Sequence, residues 1–372
     1  MNVNSVVKIL EQIAPLEYAA QWDNVGLLVG SSEWLADSIL LTIDLTDAVL
    51  REAIDSKIHM IVSYHPPIFE AFKSLTDAST KQRTVLELVM SRIAVYSPHT
   101  ALDAAPAGVN DWLASCVGNG DVRALESLES LPETEQCKIV TFCPAEAVDR
   151  VRNGLASVGA GRIGKYRLCS FELEGKGTFF AGEGAKPAVG AHGSLQRVDE
   201  VRLEMVCAKA ALGLAMITLR ESHPYEEPPI EIYPLLPRPQ RHIGQGRRVT
   251  LDQPVTLKAI VESIKQRLSA RQVQAAVGHD APSKYQRIGL CAGAGGSLLA
   301  AAIDQGCQLF LTGELRHHDI LNAQARGCTV VLAGHTNTER GYLKPLRKRL
   351  IDLLPGVTVN ISKRDADPLR VM

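Results

Sequence analysis

Apolar residues recur at Val6, Ile9, Leu10 and Ile13, the spacing of one face of a helix, so the chain opens on an amphipathic helix. Short continuous apolar runs then alternate with stripes of the same kind. Ser38–Ile43 and Met60–Ser63 read as buried strands, and between them Val49, Leu50, Ala53 and Ile54 form a helical stripe behind the caps Thr46 and Asp47. The order repeats with a helix carrying Val85, Leu86, Leu88 and Val89 and a strand over Ile93–Ser97. Such alternation is the signature of α/β layering.

Near Glu133 the texture changes. Cys137–Phe142 reads as a strand, Ala145–Val158 as a helix, and Ser170–Glu174 and Gly177–Ala181 as short strands separated by glycine. Val198–Val206 follows as a strand, a helix starts at Ala208, and Ile230–Tyr233 closes the set. This is close to the split β-α-β plan of ferredoxin-like domains. Its exit, Leu235–Gln240, reads as a proline-rich linker. We therefore expect an α/β body made of residues 1–132 and 241–372, interrupted by an inserted ferredoxin-like α+β domain over residues 133–240.

Layering resumes after the linker with an amphipathic helix over Val255–Leu268, a strand over Arg287–Cys291 and a glycine-rich turn, Ala292–Ser297, leading into a helix over Leu298–Gln305. A strand over Gln308–Thr312 ends at Gly313-Glu314, and His317, His318 and Asp319 open the next helix. The stretch Thr329–Leu343 (TVVLAGHTNTERGYL) then reads as a buried strand, a tight turn at Ala333-Gly334 and a helix starting near Thr336, with Thr336 or Asn337 as cap. His335 and Glu339, four apart, would lie on one face of that helix.

Composition narrows the function classes. The 372 residues suit two or three domains, and 46% apolar with 22% charged residues is ordinary for a globular chain. A formal net charge of -1 gives no field to attract nucleic acid or an anionic membrane. With no long apolar run and an amphipathic start in place of a signal peptide, the expected location is the cytoplasm. The eight cysteines are scattered with no CxxC spacing, so neither disulfides nor a cysteine zinc site is expected.

The chemistry gathers at strand ends, where ligands collect in open α/β sheets. One strand runs into Ser63-Tyr64-His65-Pro66-Pro67 and another into His99 with Asp103; two later ones end at Glu314 with His318 and at His335 with Glu339. Mixed imidazole and carboxylate groups suit zinc, iron(II) or manganese, and a carboxylate can bridge two ions. The turn Ala292–Ser297 offers backbone amides that could cradle a phosphate, although it carries no Walker pattern and no complete GxGxxG. In the insert, His223–Pro228 (HPYEEP) reads as a polar loop stiffened by prolines, or as an ion or effector site.

Five stretches, QWDNVGLLVG (Gln21–Gly30), SYHPPIF (Ser63–Phe69), HTALD (His99–Asp103), LTGELRHHD (Leu311–Asp319) and AGHTNTE (Ala333–Glu339), together resemble the Nif-three-like family, often named GTP cyclohydrolase 1 type 2. The insert resembles the PII-like or CutA-like domain of the longer members. The resemblance covers essentially the whole chain. It implies a homohexamer with a dinuclear divalent-metal site, zinc, iron or manganese, held by His65, Asp103, His335 and Glu339. His99, Glu314 and His318 are the implied proton-transfer or supporting groups. Many members have two consecutive histidines where this chain has Tyr64-His65, and a neutral phenol binds divalent ions poorly. The expected function is a metal-dependent hydrolase, GTP cyclohydrolase-like, acting on a nucleotide or small heterocycle. Its rival is a non-catalytic metal-binding regulatory or scaffold protein that docks a partner or senses an effector.

Overall fold

The computed structural model describes residues 1–369. In chain order its strands are β1 Gly26–Val29, β2 Ser38–Thr42, β3 Met60–Ser63, β4 Ala94–Ser97, β5 Gly120–Ser130, β6 Cys137–Cys143, β7 Phe171–Phe180 and β8 Leu195–Cys207. They continue with β9 Ile230–Pro234, β10 Arg238–Val255, β11 Gln274–Ala276, β12 Tyr285–Ala294, β13 Leu309–Glu314, β14 Thr329–Leu332 and β15 Thr358–Ile361. The chain forms two compact units, one made of Met1–Leu128 with the chain from Gln240 onward, the other of Glu129–Pro239. Among the described residues no helix is long and apolar enough to cross a membrane.

The larger unit holds two sheets. In the first, ordered β1-β4-β3-β2-β15, the neighbours from β4 to β15 are parallel and β1 is antiparallel to β4. Its short strands read as unbroken apolar runs because both faces are covered. Ile39, Leu41, Met60, Val62 and Tyr96 face one buried cluster, while Leu40, Ile61 and Val95 face another with Leu50, Ala53 and Leu88 from the flanking helices. The second sheet is ordered β11-β14-β13-β12-β10-β5, parallel from β14 to β12. Its Leu290, Leu311 and Val331 join the cluster that holds Leu41 and Val62, so both sheets share one core. Capping follows sequence here: the helix Val3–Ile13 starts where the Asn2 side chain accepts the Ser5 amide, and Asp47–Asp55 where Thr46 accepts that of Val49. The opening stripe is Val3, Val6, Leu10 and Ile13, with Ile9 only partly buried.

The smaller unit has the chain order β6, helix Val148–Ser157, β7, β8, helix Leu212–Ser222, β9. Its sheet is antiparallel throughout, ordered β7-β8-β6-β9. Val151, Leu155, Ala215 and Leu219 of the two helices pack on Ile139, Leu203 and Met205, giving this unit a core of its own.

Several local expectations are corrected. Gly175 and Gly177 do not split β7, because each is paired with β8, opposite Glu200 and Val198. Pro239 and Gln240 do not lie in a linker; they belong to β10. The turn expected at Ala292 starts later, since β12 runs through Ala294. Neither Thr336 nor Asn337 caps the helix Asn337–Arg340 through its side chain; Asn337 instead donates to the Ala333 carbonyl at 2.9 Å.

Candidate functional site

The carboxyl ends of β3 and β14, one from each sheet of the larger unit, bring His65 and His335 to within 5.5 Å of each other, centroid to centroid. His65 continues the β3 pairing, its amide bonded to the Ile43 carbonyl at 3.0 Å. His335 follows Gly334, whose φ of +91° makes the sharp turn after β14. Glu339, on the one-turn helix Asn337–Arg340, points back between the two imidazoles. Its Oε2 lies 3.5 Å from His65 Nε2 and its Oε1 lies 3.4 Å from His335 Nε2. His65, His335 and Glu339 each offer a ligand atom within 4.8 Å of the others.

Glu339 is only 2% exposed, and its Oε2 is buried without a hydrogen-bond partner. A buried carboxylate in that state is costly unless a cation satisfies it, so the donor set fits a divalent ion. Gly293, at the end of β12, supports the same reading. A Cβ there would lie 2.6 Å from Glu339 Oε1 and 3.1 Å from His335 Nε2, so only glycine leaves room beside the three groups. The phosphate cradle expected at this turn is not formed as such: the Gly293 and Gly295 amides donate to Thr338 Oγ1 and Thr312 Oγ1 at 2.8 and 3.0 Å.

Carboxylates behind the imidazoles orient both. His65 Nδ1 is hydrogen-bonded to Asp44 Oδ1 at 2.8 Å and His335 Nδ1 to Glu314 Oε1 at 3.1 Å, which turns each Nε2 toward Glu339. Burial by itself would lower the His65 pKa, but the Asp44 hydrogen bond and the Glu339 carboxylate together raise it to about 10. The same His65 hydrogen bond, outweighing burial, holds Asp44 below the usual carboxylate range. Without an ion, a proton on His65 is what balances these acids. Asp44 was not among the sequence candidates, although it sits just past β2, at a strand end like the others. We expect Asp44→Asn to weaken divalent-metal binding by about 10–100-fold. Competition with a chelating dye would measure it, and an unchanged affinity would refute the orienting role.

Tyr64 and Asp103 make a separate pair. The Tyr64 hydroxyl donates to Asp103 Oδ1 at 2.6 Å, and the two residues are 4% and 8% exposed. Burial pushes the Asp103 carboxyl up to about 6 and the Tyr64 phenol well above its usual value. Asp103 is thus bonded to a phenol and is not part of the group formed by His65, His335 and Glu339.

His99 starts the helix His99–Ala104 with φ of +27°, a backbone conformation that side chains rarely adopt. Its ring stands 5.5 Å from that of His65 and 5.6 Å from that of Tyr64, centroid to centroid. Asp23 Oδ1 holds its Nδ1 at 2.8 Å and also anchors Thr100 through the other oxygen. Burial would raise the Asp23 pKa, but these hydrogen bonds lower it. Asp23, too, was missed in the sequence, though it lies in the QWDN stretch. Glu314 serves His335, as above. His318 lies against His317, ring centroids 5.6 Å apart, and among the described residues no hydrogen bond, ion pair or ring contact joins it to the cluster.

The Duf34/NIF3 (NGG1p interacting factor 3) family model matches residues 1–368. The chain is 33% identical over 371 residues to the GTP cyclohydrolase 1 type 2 homolog of Bacillus subtilis (strain 168), covering 99% of this chain and 98% of that one. It is 35% identical over 382 residues to NIF3-like protein 1 of Rattus norvegicus, covering 100% and 93%. Among solved structures, a Bacillus cereus protein related to NIF3 matches with a TM-score of 0.69 at 28% identity, over 100% of this chain and 99% of that one. The Staphylococcus aureus protein SA1388 matches with a TM-score of 0.78 at 26% identity, with the same coverage. A match along nearly the whole length, through both sheets and every strand end described above, makes this chain a member of the Duf34/NIF3 family.

Proposed function

We propose that this protein is a metal-dependent hydrolase acting on a nucleotide or small heterocycle. The observation that carries the reading is the buried Glu339 carboxylate facing the Nε2 atoms of His65 and His335, its Oε2 without a hydrogen-bond partner among the described residues. A divalent ion, zinc, iron or manganese, held by these three residues would supply Lewis-acid polarisation and acidify water at neutral pH. His65 and His335 keep 24% and 34% of their side chains exposed, which supports an open position for substrate over a closed structural site. His99 is the residue placed to move a proton: Asp23 fixes its Nδ1, which leaves Nε2 free to accept from water and return the proton to the leaving group. Trp22, exposed beside His99, and Phe69, 6.0 Å from Trp22, offer ring faces to a flat substrate. Glu314 and Asp44 act as positioning residues. His318 has no role in this reading.

Several relatives carry the name GTP cyclohydrolase 1 type 2 homolog, so GTP and other nucleoside triphosphates are the first substrates to test. The test is elemental analysis of the purified protein, followed by turnover assays with each candidate metal restored. No bound divalent metal, or metal that never supports turnover of any nucleotide, would favour the regulatory alternative. A homohexamer is part of the proposal, as is a PII-like role for the Glu129–Pro239 unit, supported by its β-α-β-β-α-β order.

Tyr64 sets the ion count. Because its hydroxyl occupies Asp103 Oδ1, we expect one ion per chain in the wild type and two in Tyr64→His, where an imidazole and the released Asp103 carboxylate become available. Metal-to-protein ratios after desalting measure this. Two equally tight ions in the wild type would rule the account out.

A further inference from the structure

The smaller unit contains a cavity of about 430 Å³ that the metal centre does not use. Sequence explains why it opens. On the sheet face away from the two helices, β7 presents Phe171, Leu173, Gly175, Gly177 and Phe179, and Gly177 leaves a hollow beside Phe179. Glu200 of β8 fills the space that a side chain at Gly177 would take: a Cβ there would lie 2.0 Å from Glu200 Oε2. Neither glycine has a left-handed backbone, so what requires glycine at 177 is space.

Two loops roof the hollow. The loop after β7 brings Pro187 and Val189, and the loop before β9 brings Tyr225 and Glu226. They are tied together where the Lys186 amide donates to Glu226 Oε2 at 3.0 Å. The buried His223 pins the second loop: its Nδ1 accepts the Tyr225 amide at 3.1 Å, so its Nε2 donates to the Phe142 carbonyl, also at 3.1 Å. This gives a structural role to the HPYEEP stretch. Tyr225 in turn donates its hydroxyl to Glu200 Oε1 at 2.8 Å and fixes the carboxylate. Among the described residues Glu200 Oε2 has no hydrogen-bond partner, and it borders the cavity beside Gly177.

The chemistry of the lining selects the ligand. Phe142 and Phe179, both on this sheet face, supply aromatic surface for a flat ring. Glu200, Glu226 and Glu227 set three carboxylates against the single ammonium of Lys186, which disfavours an anion. A held carboxylate with a free oxygen selects a ring edge carrying adjacent N–H donors. We propose that this cavity is a binding site for an uncharged, aminated nitrogen heterocycle of the nucleobase type, recognised by Glu200 and stacked on the phenylalanines. The inference is independent of the metal-centre reading.

Isothermal titration of the full chain with guanosine tests it. One saturable site per chain is expected, with inosine, which lacks the exocyclic amine, weaker by at least about tenfold; GTP, which adds charge, should be weaker by the same margin in the Glu339→Ala chain, where the metal centre does not contribute. Glu200→Gln, which keeps the shape, and Gly177→Ala, which displaces the carboxylate, should each weaken guanosine by at least about tenfold. Gly175→Ala, on the same strand face but in open space, should leave it unchanged. Glu339→Ala should also leave guanosine affinity unchanged, which separates this site from the metal centre. The proposal is overturned if guanosine shows no saturable binding, if GTP binds the Glu339→Ala chain more tightly than guanosine does, if both Glu200→Gln and Gly177→Ala bind as the wild type does, or if Glu339→Ala abolishes guanosine binding.

Discussion

Replacing Glu339 or His335 by alanine is expected to remove nearly all bound divalent metal and to lower hydrolytic turnover by more than about a hundredfold, beyond the loss typical of an outer-sphere residue. Glu339 is the centre of the argument, since each of its oxygens faces one imidazole. Its loss leaves two imidazoles 5.5 Å apart with no anionic ligand between them. Folding should survive, because the substitution removes a buried acid that lacks a full set of partners instead of creating one. The measurement is elemental analysis after exhaustive desalting, paired with circular dichroism to show a native fold. Undiminished metal in both variants would mean that the ion is held elsewhere, and the assignment would fail.

How far this site could be read in the sequence depended on where each residue falls relative to a strand. His65, His335 and Glu339 were visible because each follows a short, continuously apolar strand, and parallel strands buried on both faces announce themselves that way. Asp44 lies at a strand end too, but it was hidden by its place beside the helix cap Thr46, where an acid has an ordinary explanation. Asp23 precedes a strand and reaches His99 from 76 residues away, a contact that periodicity does not encode. The pairing of Tyr64 with Asp103 follows from tertiary geometry alone. At fold level the parallel strands β2, β3, β4, β12, β13 and β14 were legible, whereas the parallel β15 and the long strands β5 and β10 were not. In β10 the fully buried cation Arg247 stands in line with the core residues Val249 and Leu251, and a charged residue at a core position breaks the pattern by which strands are recognised.

Arg247 should therefore be the costliest single position in the larger unit. It is fully buried, at 0% exposure, and its guanidinium bonds in every direction. Nε donates to Asp111, Nη1 to the Gly244 and Gly246 carbonyls at 2.7 and 2.8 Å, and Nη2 to those of Ala104, Ala105 and His242 at 3.2, 3.0 and 3.3 Å. The left-handed backbone of Gly246, with φ of +58°, helps turn these carbonyls inward. Asp111 also accepts the Ala107 amide, so the cation fastens β10 to the segment that follows the helix bearing His99 and Asp103. Arg247→Met keeps the volume and removes every donor, leaving an uncompensated carboxylate and several carbonyls. The expected loss is about 3–5 kcal/mol of stability. Arg247→Lys should recover only part of it, because an ammonium cannot reproduce the planar fork. Urea denaturation reads both, with Glu339→Ala as the variant whose midpoint should not fall. If Arg247→Met unfolds at the wild-type midpoint, the guanidinium is not what joins β10 to the residues beneath the site.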